Sequence, residues 1–287
     1  MRLVMTMLVR NEEDIIRANI EFHRSMGVDF FLVMDHGSDD KTLTILDEFS
    51  RKGFLKVYHQ ANLGYYQSEW VSEMAREAYA RYDADWIINN DADEFWWPSH
   101  GNLKESLSLV PDEIDGLYVK RYNFPPIKNE HSACFYDTMI YRDLLSVNSH
   151  GSPLPGKMCH RACSDVVVSQ GNHDACGSTI HSKQESCLLE ILHFPVRSLS
   201  QFTNKIRHGG LAYMNSPLLD ERVGSTWREL FRVYQCCGLE DFYHKQCINV
   251  DQNSINSKDL GRWQMDDRLQ RYMWMLTRKH ELAIGSR

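Results

Sequence analysis

The sequence predicts an α/β fold: a mixed, mostly parallel sheet flanked by helices, with a helical C-terminal extension. Three observations carry this. Short apolar runs alternate with amphipathic stretches through the first hundred residues, the pattern of βαβ units. The turns between them are short and polar. From Ser198 onward the periodicity becomes helical. With 287 residues, 43% of them apolar and 25% charged, the chain can bury a full core. That composition excludes disorder or a coiled coil as a description of the whole.

Leu3 to Val9 is a continuous apolar run and reads as a buried strand. It passes straight into Arg10-Asn11-Glu12-Glu13 with no small-residue cleavage site, so it is expected to be a first strand rather than a signal peptide. Asn11 is placed to cap a helix whose inner face is Ile15, Ile16, Ile20, Phe22, His23 and Met26, with Gly27 as its stop. Phe30 to Met34 is a second strand, followed by the polar turn Asp35 to Asp40 and a helix that ends at Gly53. Leu55 to Tyr58 is a third strand, and Ser68 to Arg81 a helix. Trp86 to Ile88 is a fourth strand leading into Asn89-Asn90-Asp91-Ala92-Asp93-Glu94. Further strands are expected at 116–124, 139–141, 166–168 and 188–194, and helices at 200–208, 226–236 and 266–279. No run of about 18 apolar residues occurs, so no transmembrane helix is expected.

The polar clusters that begin at Arg10, Asp35 and Asp91 all follow strands, and ligands of open parallel sheets bind at the carboxyl ends of strands. Asp91-Ala92-Asp93 places two carboxylates one residue apart after a buried strand. Such a pair suits Mn²⁺ or Mg²⁺, an ion that commonly bridges a carboxylate to substrate phosphates. Asp35 is placed to accept a hydrogen bond from a base or ribose, while Ser38 or Asp39 is free to cap the next helix. Lys157 and Arg161 are candidates to neutralise phosphate charge. His173 or Asp174 is a candidate general base toward an acceptor hydroxyl. Trp96 and Trp97 stand beside the acidic motif and, on a strand, point to opposite sides, so one of them is expected to face substrate. Tyr65, Tyr66 and Trp70 form a second aromatic cluster. Lys205, Arg207 and His208 are candidates to reach phosphate or acceptor, although a solvated helix face is the preferred reading.

Lysine and arginine number 32 against 39 aspartates and glutamates, a net charge of −7 that argues against a nucleic-acid partner. Eight irregularly spaced cysteines point to reduced thiols and a cytoplasmic location. Contact with a membrane surface stays open.

Val9-Arg10-Asn11-Glu12-Glu13, Asp35-His36-Gly37-Ser38-Asp39-Asp40-Lys41-Thr42 and Asp91-Ala92-Asp93-Glu94-Phe95 together resemble a family 2-type glycosyltransferase of the GT-A fold. The D-x-D-E-F form, with His193-Phe194-Pro195-Val196-Arg197-Ser198 downstream, is similar to a branch that carries an H-[FY]-x-x-[RK]-S segment. The resemblance implies a GT-A-like, Rossmann-like domain over 1–210. Residues 1–100 would be its nucleotide-binding half, 101–210 its metal and acceptor half, and 211–287 a helical extension. It implies a nucleotide-diphosphate sugar donor, with a UDP-sugar favoured, a divalent cation, and a glycan or other hydroxyl acceptor. Arg10, Asn11 and Glu12 would lie in the first nucleotide loop, with Asp35 at the nucleoside. Asp91 and Asp93 would face ribose and metal–diphosphate, and His193 the metal or the diphosphate. Two alternatives remain at this stage: a nucleotidyltransferase, and a non-catalytic nucleotide- or sugar-binding module on the same fold.

Overall fold

The computed structural model describes residues 1–60, 66–128, 132, 134–147, 152–215, 224–249 and 261–285. The first half runs β1 (Leu3–Val9), α1 (Ile16–Ser25), β2 (Phe30–Asp35), α2 (Thr42–Ser50), β3 (Leu55–His59), α3 (Gln67–Tyr82), β4 (Trp86–Asn90), β5 (Glu94–Pro98) and α4 (Leu103–Ser108). The middle holds β6 (Gly116–Val119), β7 (Arg121–Asn123), α5 (Phe135–Thr138), β8 (Tyr141–Asp143), β9 (Lys157–Arg161), β10 (Val167–Val168), β11 (Ala175–Cys176), β12 (Lys183–Glu185) and β13 (Leu189–His193). The chain continues through α6 (Leu199–Met214), α7 (Ser225–Cys237), α8 (Glu240–Gln246), β14 (Trp263–Met265) and α9 (Arg268–Gly285).

The main sheet has the order β12-β6-β9-β4-β1-β2-β3. Strands β1 to β4 are parallel where they pair, and β9 runs antiparallel between β4 and β6. Alternation along β1 explains the layers on either side. Leu3, Met5, Met7 and Val9 face one core with α1 and α2, while Val4 faces a second core with α3. Register brings the loops together: Val9 pairs with Asp35, and Met7 with Asn90. The carboxyl ends of β1, β2 and β4 therefore open on one edge.

A second sheet has the order β5-β13-β7. The expected strand over 116–124 divides between β6 in the main sheet and β7 in this one. The strand ending at His193 joins this smaller sheet, where His193 pairs with Glu94. Trp96 and Trp97 depart from expectation, since neither reaches the substrate side. Trp96 is fully buried and donates from Nε1 to Asn90 Oδ1 at 2.9 Å. Trp97 stacks on Phe22 and meets Tyr272 of α9. Tyr65 lies outside the described residues; Tyr66 and Trp70 pack edge to face.

The C-terminal stretch divides in two. Helices α7 and α8 share a small apolar cluster with α6, built on Phe202, Ile206, Leu230, Phe231 and Leu239. Gly209 and Gly210 make this close approach possible, since a Cβ on either would lie 2.4 Å from the Trp227 or Phe231 ring. Strand β14 instead pairs with β8, and Leu269 and Met273 of α9 enter the main core. Among the described residues no helix is long and apolar enough to cross a membrane.

Candidate active site

A cavity of about 1310 Å³ opens at the carboxyl ends of β1, β2 and β4, with α6, α7 and α8 as its far wall. Its first corner joins the loops after β1 and β2. Asn11 adopts the left-handed region at φ 54°, which asparagine tolerates better than most residues. There it is a bridge rather than the expected helix cap. Its Nδ2 donates to Asp39 Oδ1 at 2.7 Å, and its Oδ1 accepts from the Asp39 amide at 2.9 Å. The Asn11 amide donates to Ser38 Oγ and the Glu12 amide to Thr42 Oγ1. Asp35 is buried and accepts from the Ser38 amide through Oδ2, leaving Oδ1 without a partner. It precedes His36 in the chain, and His36 lines the cavity.

The second corner is built from charge. Asp91 accepts from Lys157 and, at 3.1 Å, from Asn172. Lys157 is itself buried and also donates to the Gly171 carbonyl at 2.9 Å. Glu94 is fully buried between Arg121 Nη1 at 3.0 Å and Lys157 Nζ at 3.2 Å. Burial raises its carboxyl to about 7, with Asp91 pushing the same way and the two cations opposing. Asp93 accepts from Lys205 through Oδ2, and the same oxygen lies 3.7 Å from His193 Nε2. Burial opposes ionisation of Asp93, but the neighbouring cations, Lys205 above all and Arg197, outweigh it and hold the carboxyl well below the usual range.

The downstream H-F-P-V-R-S segment serves both corners. Burial holds His193 down at about 4 against the pull of Asp93, so the ring is neutral at neutral pH. Its Nδ1 donates to Asn123 Oδ1 at 2.7 Å, which leaves the Nε2 lone pair toward Asp93. Arg197 donates twice to Asp14, at 2.7 and 2.8 Å, and to Glu12 at 2.6 Å. Ser198 caps α6, accepting from the Gln201 amide, and so sets the helix that carries Lys205.

Six buried polar atoms lack partners among the described residues. Two belong to residues that line the cavity, Arg10 Nε and Gln170 Nε2, while Asp35 Oδ1, Glu94 Oε2 and Asn172 Oδ1 belong to buried residues adjacent in the chain or hydrogen-bonded to lining ones. Native proteins rarely leave such groups unpaired, and a polar ligand in the cavity would pair with those of Arg10 and Gln170.

The expected site residues divide accordingly. Arg10, Asn11, Glu12, Asp91, Asp93, Lys157, His173 and His193 line the cavity. Asp35, Asp174 and Arg161 do not. Asp174 is held by Lys183 at 2.7 Å and by Tyr118 at 3.0 Å, which depress its carboxyl and leave it unsuited as a base. Arg161 stacks over Trp86 and donates to the Ile114 and Pro111 carbonyls, a structural brace rather than a phosphate ligand. Lys205 corrects the solvated-face reading, because its partner is Asp93. Neither that pair nor Arg197 with Glu12 has a local sequence signal beyond the H-x-x-x-R-S spacing.

Mn²⁺ or Mg²⁺ is compatible with the donor set. Among the described residues no three Asp, Glu, His or Cys side chains form a ready cage. Two oxygen- and nitrogen-donor ligands with bonds of about 2.1 Å to one cation lie about 3–4 Å apart. Asp93 Oδ2 and His193 Nε2, at 3.7 Å, meet that spacing.

The sequence profile of Glycosyltransferase family 92 matches residues 4–171, more than half of the chain. No curated protein matches it. Among solved structures, S. aureus TarS 1–349 in complex with UDP is similar over 91% of this chain and 77% of that one, at 14% identity and a TM-score of 0.44. The mannosyltransferase PcManGT from Pyrobaculum calidifontis, in complex with GDP-Man and Mn²⁺, is similar over 42% of this chain and 35% of that one, at 14% identity and a TM-score of 0.34. Glucosyl-3-phosphoglycerate synthase from Mycobacterium tuberculosis, in complex with Mn²⁺, UDP and glucosyl-3-phosphoglycerate, covers 42% of this chain and 44% of its own, at 18% identity and a TM-score of 0.31.

Proposed function

The chain belongs to glycosyltransferase family 92, and on that premise we propose that it moves a sugar from a nucleotide-diphosphate sugar to a hydroxyl of a glycan or glycoconjugate. The observation that carries this reading is the charged corner, where Asp91, Asp93 and His193 meet at the cavity beside partnerless polar atoms. The nucleoside is read into the first corner, against Arg10, Asn11 and Asp35. Asp93 and His193 would hold Mn²⁺ or Mg²⁺, and the ion when bound neutralises charge on the leaving diphosphate. Both ligands come preset: His193 is neutral, with its tautomer fixed by Asn123.

The acceptor is read against α7 and α8, where Trp227 and Phe242 line the cavity. Aromatic faces suit the apolar faces of sugar rings. His173 lines the same space and donates from Nδ1 to the Gly156 carbonyl at 2.8 Å. Burial holds it at about 4. Its Nε2 is therefore a hydrogen-bond acceptor for the incoming hydroxyl and only a weak base.

Hydrolysis and transfer with UDP- and GDP-sugars, with and without Mn²⁺, test the reading. Turnover of one donor that EDTA abolishes supports it. A chain that binds no nucleotide under either condition refutes it.

A further inference from the structure

We propose that Lys205 is an exchangeable counter-ion. It holds Asp93 while the donor is absent, and passes to the donor's diphosphate when a divalent cation takes its place on Asp93. This rests on the donor and metal reading above, and adds to it a residue and an order of binding.

Besides Arg121 on Glu94, three cations hold the acidic groups of the site, and they are built differently. Lys157 is enclosed by Asp91, Glu94 and the Gly171 carbonyl. Arg197 is enclosed by Glu12, Asp14 and the Phe194 carbonyl. Each of those side chains is only 2% exposed, whereas Lys205 is 22% exposed. Beyond Asp93, Lys205 Nζ has among the described residues only the Pro195 carbonyl as a hydrogen-bond acceptor, at 3.5 Å, the limit of a hydrogen bond. Its stem lies on the cavity face of α6, and Trp227 of α7 stands 6.0 Å from Nζ on the open side. A lysine so placed can leave one anion for another without unfolding its surroundings.

Position then makes the exchange necessary. Lys205 is bonded to Asp93 Oδ2, the oxygen that also faces His193 Nε2. A divalent cation held between those two atoms would stand against the ammonium in a poorly solvated corner, and like charges there repel strongly. Displaced toward the cavity, the ammonium meets the anionic diphosphate, where charge-assisted hydrogen bonds are strong. With the lysine on Asp93 the corner is balanced, so it tolerates the absence of metal. With metal on Asp93 it carries the surplus positive charge that a diphosphate needs.

The test uses the full chain and two uncharged variants, Lys205→Met and Lys205→Gln. Mn²⁺ affinity without nucleotide is read from the electron paramagnetic resonance of free Mn²⁺. UDP and GDP affinity at saturating Mn²⁺ is read by calorimetry. Loss of a competing cation should tighten Mn²⁺ binding by about tenfold, and loss of a charged hydrogen bond should weaken nucleotide binding by about tenfold or more. Lys205→Arg, which keeps the charge, should restore nucleotide affinity. Shifts in opposite directions in either uncharged variant establish the exchange, because damage to the site would weaken both ligands. Mn²⁺ binding that is unchanged or weaker, or nucleotide binding that is unchanged, overturns it. If the wild-type protein binds metal and nucleotide while the variants show no opposed shifts, the exchange alone is refuted. If the wild-type protein binds neither, the exchange and the donor reading are refuted together.

Discussion

The two corners of the cavity reach order by different means. The loops after β1 and β2 satisfy one another through short hydrogen bonds, with Asn11 and Asp39 exchanging a reciprocal pair. The corner after β4 is held by ion pairs among buried and partly buried groups, Lys157 with Asp91 and Glu94 and Lys205 with Asp93, and Arg197 ties it to Glu12 of the first corner. A hydrogen-bonded loop can present a fixed shape to a nucleoside at little cost. A cluster of buried charges is stable only while balanced, since an uncompensated buried ion is expensive. The first corner is thus suited to recognition, and the second to a ligand whose charge rearranges it.

If that contrast is right, removing a cation should hurt far more than removing a hydrogen bond. Arg197→Ala strands Glu12 in a buried site and should lower stability by about 3–5 kcal/mol, read from the urea midpoint. A loss of about 1 kcal/mol would mean that water replaces the guanidinium and the corner is not closed. Asp93→Asn keeps the shape but loses the charge. It should reduce transfer on the order of 10²–10³, with the circular dichroism spectrum retained. Near wild-type turnover would reduce Asp91-Ala92-Asp93 to a turn.

Acid should find the charged and buried groups first. Burial holds His23 at about 3 and His160, His173 and His193 at about 4. As pH falls below about 6.5 the unfolded chain takes up protons that the folded chain refuses. Stability should therefore decline from about 6.5 down to 4, at up to about 1.4 kcal/mol per pH unit for each such histidine. Asp93, held low, extends the loss to lower pH. Glu94, raised to about 7, works the other way as a single group between its ordinary value and 7. Thermal melts from pH 7.5 to 4 check the slope, and a flat profile would contradict the burial of these rings. The smallest effect belongs to the first corner. Asn11→Ala loses the Asp39 bonds and places an alanine at φ 54°, for about 1–2 kcal/mol in the same urea assay. A loss as large as that of Arg197→Ala would erase the distinction between the corners.

Much of the scaffold is legible in the sequence because it is local. Apolar runs and polar turns locate β1 to β4 and the two loops after β1 and β2, and the acidic motif falls at the expected strand end. His193 is also foreseeable as a neighbour of Asp93, although through β5 in a separate sheet and not through the central one. What escapes the sequence is pairing at long range. Lys205 lies 112 positions from Asp93, and Arg197 lies 185 from Glu12, so no window of sequence joins them. The stretch around Lys205 looks like a solvated helix because its charges are counted without their partners. Arg161 and Asp174 mislead for the converse reason. Each carries the right chemistry, but Trp86 and Lys183 engage them away from the cavity. Trp97 is taken by α9, whose return to the core has no signal near residue 97.

The account turns on a cation and a diphosphate meeting at Asp93 and His193. Anomalous diffraction from a crystal holding Mn²⁺ and UDP or GDP tests that most directly. The expected result is a manganese peak about 2.2 Å from both Asp93 Oδ2 and His193 Nε2, with the Lys205 ammonium turned to the diphosphate. A bound nucleotide whose manganese and phosphates both lie more than about 5 Å from the His193 ring, beyond coordination or hydrogen bonding, would contradict it.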